Sequence, residues 1–545
     1  MKKRTILVPA MALLLTALVF AGGKTEEASS AEAPAGGEKM AASQIYREGL
    51  LAAAQGQASF ITTTAHRLDA TVNEPLVALN WKGDLQPLIA ERYEMQENGR
   101  VWMMYIRNNA KWHDGTDVTA ADVIFSYSAY ANPKVASRWN NKASSIKGYA
   151  DVYGGKADRL SGVTAVNNKT VRIELSKPMP LWMKLEQTFL VIFPNHILGS
   201  VAPDQLVAQP YWRARVGTGP FIWEEYKPDQ YIMLKRNENY YLGAPKLEKL
   251  VYTIFGDAAS QLNALASGQI HTVSYESNLI TPQEADTYEA MANISVLAMD
   301  KGAPSSISLN LRRPEWADKR VRQALRYAID VKEIIKALYP GAIEAITLFP
   351  QTWTHPAGMN RYEYNPDLAK KLLAEAGWSG RTVDLVYVQP DALTQNLLLA
   401  IQQYWKNVGV TVNLRKIDAA ATTALYASPE FDMGLGGSGM GLDPVVGELL
   451  IKKGELVSFG YDNPRVNELL DQGKNEADQA KRAPIYQEIS KILNDEMPKI
   501  FLWYDIRHLG FNDKAIGPKD HWEEQRIIYF NQPIYNEIEK WYLVE

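Results

Sequence analysis

Residues 105–127, YIRNNAKWHDGTDVTAADVIFSY, join the end of a strand, a charged turn and a capped helix in one run. Around Tyr105, the positions Val101, Met103, Tyr105 and Arg107 fall on one face of the strand. Trp102, Met104 and Ile106 fall on the other, with the period of two that a pleated backbone imposes. Asp114 followed by Gly115 turns the chain. Thr119 then stands three residues before Asp122, ahead of Val123, Ile124 and Phe125, so its hydroxyl can cap the first free amides of a helix. Further along, strands and helices alternate without a short repeat, which predicts mixed α/β lobes. Helical periodicity is clearest over residues 321–338, 367–376, 393–408 and 482–495, and breakers such as Pro340, Gly377 and Pro498 follow.

Composition sets the compartment and the size. Lys2, Lys3 and Arg4 precede an apolar run over residues 6–20, and Val19 and Ala21 offer small side chains at the usual cleavage positions. We read residues 1–21 as a cleaved signal peptide, because the run is too short for a span of about 20 residues and contains Pro9. Residues 22–42, rich in Ala, Gly, Glu and Ser and without aromatics, read as a flexible leader. Losing residues 1–21 removes three positive charges and takes the net charge from −4 to −7, which argues against a nucleic-acid partner. The chain has no cysteine, so disulfides, thiolate metal sites and a cysteine-linked lipid anchor are not expected. With 46% hydrophobic residues it can fill more than one core.

The run 105–127 resembles the strand, "FHDGT" turn and "T-A-x-D-V-x-F-S" helix of the family 5 extracytoplasmic solute-binding proteins. These are the oligopeptide, dipeptide, nickel and oligosaccharide receptors of ATP-binding cassette importers. Other segments resemble the family in the same order: NWKGDLQPL at 80–88, GTGPFIWEEYKPDQYIMLKRNENYY at 217–241, the strand and helix at 307–338, and residues 459–504. The resemblance implies an α/β fold of the two-lobed periplasmic-binding-protein type II. Residues 43–300 and 502–545 would form the first lobe, with an extra subdomain at 85–209, and 301–501 the second. The chain would cross between lobes near 304–311 and again near 500–504, forming a hinge. It further implies a periplasmic or extracytoplasmic monomer that binds a peptide or short oligosaccharide, with no cofactor and no catalysis. Ligand would favour the closed form, and a membrane permease would read that closed surface.

The expected ligand loop is FDMGLGGSGMGLDP at 431–444, a short strand running into glycines that let another group approach the backbone. It resembles the family's "G-W-x-x-D-x-x-D-P" loop, whose Trp lines a side-chain pocket and whose first Asp pairs with a peptide's α-ammonium. Anchored on Asp443-Pro444, Gly437 takes the place of that Trp and Met440 that of the Asp, with Ser438 between them. A carboxylate–ammonium contact in a closed cleft contributes about 1.5–3 kcal/mol, and methionine cannot supply it. The ligand is therefore not expected to be held by its amino group at Met440. The alternative is a loop one or two residues out of register, with Asp443 making the ammonium contact. Among the 14 tryptophans, Trp102, Trp112, Trp223, Trp378 and Trp405 read as core. Trp139, Trp353 and above all Trp503, beside the second crossing, are candidates to touch ligand.

Other signals lead elsewhere. Residues 434–439 satisfy G-x-G-x-x-G, but Asp443-Pro444 follows at once and the expected export places the loop outside the cytosol. Ser438 lacks the closing glycine of a hydrolase elbow, since Met440 occupies it. The seven histidines show no H-x-x-x-H spacing, so a metal site is not expected, although a nickel-chelate receptor could gather distant ones. The competing class is a secreted hydrolase such as a glycosidase with two facing carboxylates.

Overall fold

The strand Val101–Ile106 and the helix Ala120–Ala131 form where the sequence places them. Trp102, Met104 and Ile106 are buried, and the Thr119 amide donates to Asp122 Oδ2 at 2.7 Å. The other Asp122 oxygen accepts the Asn195 amide at 2.8 Å, so the residue that closes the helix start also anchors a distant segment. The computed structural model describes residues 39–51, 71–80, 84–273, 280–378, 380–388, 392–418, 421–436, 443–517, 535 and 537–545. The expected signal peptide and most of the leader lie outside these residues.

Three sheets among the described residues have four or more strands. Ala90–Gln96, Val101–Ile106, Thr170–Glu174 and Val163–Asn167 make an antiparallel sheet in that order. Ile45–Leu51 runs parallel to Lys249–Phe255, which continues into Tyr231–Arg236 and Phe221–Lys227, the hairpin expected within 217–241. The third sheet has six strands, in the order Ile343–Glu344, Lys499–Asn512, Ile294–Leu309, Met433–Gly436, Thr382–Tyr387 and Thr411–Lys416.

Two long strands of the six-stranded sheet link two cores. Ile294–Leu309 pairs antiparallel with Lys499–Asn512 along its length, with register shifts between Asp300 and Pro304 and between Ser305 and Ser306. On one side of the shifts, Ile294, Leu509 and Phe511 pack with the strands at 45–51 and 221–255. On the other, Ile307, Leu309, Ile500 and Leu502 pack with Trp316, Leu325, Leu385 and Trp405. The first and last strands are tied as well: Gln44 Nε2 donates to the Leu543 carbonyl at 2.9 Å, and its Oε1 accepts the Leu543 amide at 2.8 Å.

The helical pattern at 321–338 resolves into two helices, Lys319–Tyr327 and Val331–Leu338. Asp330 interrupts it by accepting the Glu333 amide at 3.0 Å, a new N-cap where one continuous helix was expected. The other three patterns appear as Pro366–Glu375, Ala392–Lys406 and Gln479–Glu496. No helix among the described residues is long and apolar enough to cross a membrane.

Candidate functional site

Three parallel strands of the six-stranded sheet, Thr382–Tyr387, Thr411–Lys416 and Met433–Gly436, end at one edge. In open α/β sheets ligands bind in the crevice beyond the carboxyl ends of such strands. The glycine-rich loop leaves this edge directly after Gly436. Gly437, Ser438 and Met440 lie outside the described residues, so the site is built from what surrounds them.

The sheet has two unlike faces here. Ile307, Leu309, Met433, Leu435, Ile500 and Leu502 fill an apolar core on one side. On the other, Ser306 stands opposite Gly436 and Phe501, and Ser308 opposite Gly434 and Lys499. Larger side chains pack over these small residues: Phe501 is a buried core residue, and Val386, Phe431 and Phe459 form a separate cluster with Tyr426. Ser306 Oγ donates to the Gly436 carbonyl at 3.2 Å. A side chain at Gly434 would meet the Tyr426 hydroxyl 3.2 Å from its Cβ, whereas one at Gly436 would enter open space. Gly434 is thus covered, and Gly436 is exposed.

Lys499 is the charged member of this face. Its Nζ donates to Ser308 Oγ at 2.8 Å and to the Val457 carbonyl at 3.0 Å, and stands 4.7 Å from the centre of the Phe459 ring. It is 4% exposed, and burial pulls its pKa down to about 7. Sequence reasoning missed it, although a lysine opening the apolar run Ile500–Tyr504 was a visible signal.

Asp443, at the far end of the loop, is fully engaged. Arg482 Nη1 donates to its Oδ2 at 2.8 Å and Nη2 to its Oδ1 at 2.6 Å, while the Val445 amide donates to Oδ1 at 3.0 Å. Burial disfavours the Arg482 charge, but the hydrogen bonds and charge of Asp443 raise its pKa overall. Three donors thus meet the carboxylate that an out-of-register loop would turn toward a ligand's ammonium.

The three candidate tryptophans separate. Trp353 is half-buried, edge-on to Tyr486 with 5.7 Å between ring centres, and the Arg482 guanidinium lies 5.8 Å from its ring. Trp503 is fully buried, 4.4 Å from the Tyr339 ring, which corrects the expectation that it faces ligand. Ser305 pairs with Trp503 and Ser306 with Phe501, leaving Leu502 as an extra residue. That bulge slips the alternation by one and turns Trp503 toward the apolar core. Trp139 is also a core residue, packed against Phe189 at 5.2 Å and covered by Arg138. Of those read as core, Trp102, Trp112 and Trp405 are buried, and Trp223 and Trp378 pack partly buried at core margins.

His113, from the opening stretch, is held as a neutral ring. Its Nδ1 accepts the Gly217 amide at 3.1 Å, its Nε2 lies 3.0 Å from the Gly219 carbonyl, and burial lowers its pKa to about 4. It joins two segments of the family-like pattern. Among the described residues no group of three or more His, Asp or Glu side chains is placed to hold a metal. His66 and His521 lie outside them.

Comparison with known proteins shows the family. The family described as bacterial extracellular solute-binding proteins, family 5 Middle, matches residues 84–448. A putative ABC transporter peptide-binding protein of Brucella ovis is 28% identical over 459 residues, covering 80% of this chain and 82% of that protein. The oligopeptide-binding protein AppA of Bacillus subtilis is 25% identical over 511 residues, covering 89% and 86%. The structure of that AppA in complex with a nonapeptide has a TM-score of 0.71 at 22% identity, covering 93% of this chain and 100% of that one, a likeness of fold. The match over residues 84–448 decides between the receptor and the hydrolase: the chain belongs to family 5 of the bacterial extracellular solute-binding proteins.

Proposed function

We propose that this protein captures a peptide at the carboxyl edge of the six-stranded sheet and delivers it to the permease of an ATP-binding cassette importer. The observation that supports the reading is the exposed backbone of Gly436, the last residue of its strand at this carboxyl edge, where an added Cβ would meet no atom within 4 Å. A bare backbone edge of this kind suits a ligand that makes main-chain hydrogen bonds. The names of the Brucella and Bacillus relatives favour a peptide over an oligosaccharide.

In this reading, residues 43–300 and 502–545 act as one lobe and 301–501 as the other. The link between Gln44 and Leu543 and the two long strands bridging separate cores support that division. The register shifts beside Asp300–Pro304 and Ser305–Ser306 are where the pair can flex. Peptide touching both lobes stabilises the closed form by its differential affinity, with no bond made or broken. Residues 1–21 serve as the signal that exports the chain.

A thermal-shift screen against di- to pentapeptides, gluco- and manno-oligosaccharides, and Ni²⁺ with chelators tests this. A ligand at about 100 times its dissociation constant adds about 2.7 kcal/mol to the native state. Stabilisation by peptides is expected; stabilisation by saccharides alone would replace the peptide reading.

A further inference from the structure

We propose that the extra subdomain, residues 85–209, takes part in holding the closed form: Glu186 and Lys142 meet Lys474 of the second lobe, and this charged contact latches subdomain and lobe together. The proposal rests on the two-lobe peptide reading above and adds to it what keeps the lobes closed.

An apolar contact already joins the two parts. Leu185 and Phe189 of the subdomain share one continuous buried cluster with Leu469 and Leu470, which lie on the helix Pro464–Asn475 of the second lobe. Glu186 follows Leu185 directly, and Lys474 follows Leu470 by four residues, one helical turn along the same face. Each part thus carries a charged residue beside its apolar surface.

The charged groups are incompletely matched. Ser145 Oγ donates to Glu186 Oε1 at 2.9 Å, while Oε2 is buried without a hydrogen-bond partner. The Trp182 indole, one turn before Glu186, is a further donor nearby and is also unpaired. Lys142 Nζ donates to the Leu185 carbonyl at 2.9 Å and stands 4.4 Å from the centre of the Phe189 ring. Lys474 Nζ lies 3.9 Å from Glu448 Oε2, too far for a hydrogen bond, and Lys452 already holds the other Glu448 oxygen. The Lys474 charge nevertheless reaches across: it draws the Glu186 pKa down against the effect of burial, and it lowers that of Lys142. A carboxylate with an unused oxygen therefore sits within electrostatic reach of an ammonium that has no close partner. Turning Lys474 toward Oε2 places the carboxylate between two ammoniums in a site shielded from water, where such a pair is strong. Opening would return all three groups to water, so the contact favours the closed form alone, as a latch requires.

The chain has no cysteine, so spin labels at Asp151→Cys in the subdomain and Lys481→Cys in the second lobe, both exposed, report the distance between them by double electron–electron resonance. The measurement is made at pH 8, above the Glu186 value of about 7, without ligand and in a titration with a di- to pentapeptide library. Lys474→Glu is expected to lower the closed fraction at least threefold without ligand, and to raise the peptide concentration needed for closure by a similar factor. Adding Glu186→Gln should restore at least half of that loss. If Lys474→Glu does not fold, judged by near-UV circular dichroism, Lys474→Gln carries the same comparison. Unchanged distances in the Lys474 variant would overturn the proposal. So would a full effect that persists after Glu186→Gln, which would assign it to Glu448. A Lys474 effect relieved by Glu186→Gln while no peptide shifts the distances would support the latch and contradict the peptide reading alone.

Discussion

Arg482 closes both carboxylate oxygens of Asp443, at 2.6 and 2.8 Å, with both side chains buried. The pair fixes the end of the glycine-rich loop to the helix Gln479–Glu496, and Asp443 also caps the turn Pro444–Gly447. Asp443 is thereby tied both to that helix and to the turn that follows it. Removing Arg482 leaves a buried uncompensated carboxylate, so Arg482→Met should cost about 3–5 kcal/mol in denaturant unfolding. Adding Asp443→Asn should recover part of that loss, a coupling that single variants cannot show.

The same pairing bears on the ligand's amino group. With Asp443 occupied and methionine at position 440, N-acetylation of a bound peptide should change its affinity by less than tenfold. Calorimetry on a free and an acetylated peptide checks this. A loss of a hundredfold would reveal another carboxylate in the cleft.

Gly436 offers a substitution that blocks the site and spares the fold. A Cβ there meets no atom within 4 Å, and the residue is exposed. Gly436→Val should change stability by less than about 1 kcal/mol while weakening peptide binding at least tenfold. Undiminished binding would move the ligand away from this edge.

Glu74 predicts a pH dependence. It is 2% exposed and takes the hydroxyls of Tyr240 and Tyr241 at 2.6 Å each, yet burial drives its pKa from 4.5 up to about 8. The folded state holds this proton where the unfolded chain releases it. Stability from Glu74 is therefore full below about pH 4.5 and is lost as pH rises toward 8. Glu186, raised by burial to about 7, acts in the same direction over a narrower window. Glu74→Gln should flatten the decline in melting temperature between pH 5 and 8, a change on the order of a few kcal/mol. An unchanged slope would assign the decline to other groups.

Lys499 has the opposite sign. Its folded pKa of about 7 lies below its ordinary 10.5, so the unfolded state binds more protons between these values. Its contribution to stability therefore rises with pH from 7 to 10.5. In the ligand-free protein Lys499→Met should be stabilising at pH 6 by roughly 1–3 kcal/mol, because the lost hydrogen bonds offset part of the gain. That advantage should shrink toward pH 10. Melting curves of both proteins across this range decide it.

What could be seen in the sequence divides along local and non-local lines. The strand at 101–106, the cap at Thr119 and Asp122, the hairpin at 221–236 and most helix positions follow from periodicity and neighbouring residues, and they formed. The site depends on longer-range facts. Trp503 turned away because of a bulge that only strand pairing creates. Asp443 was committed to Arg482, 39 residues away, and Ser308 to Lys499, 191 residues away. Asp330 marks an intermediate case: its capping role was local and readable, but the apolar pattern ran through it and suggested one helix.

The account is tested most directly by native mass spectrometry of the protein incubated with an unbiased di- to pentapeptide library. It predicts one intact peptide per protein and no cleavage products in solution. Absence of any peptide complex, or the appearance of cleaved peptides, would contradict it.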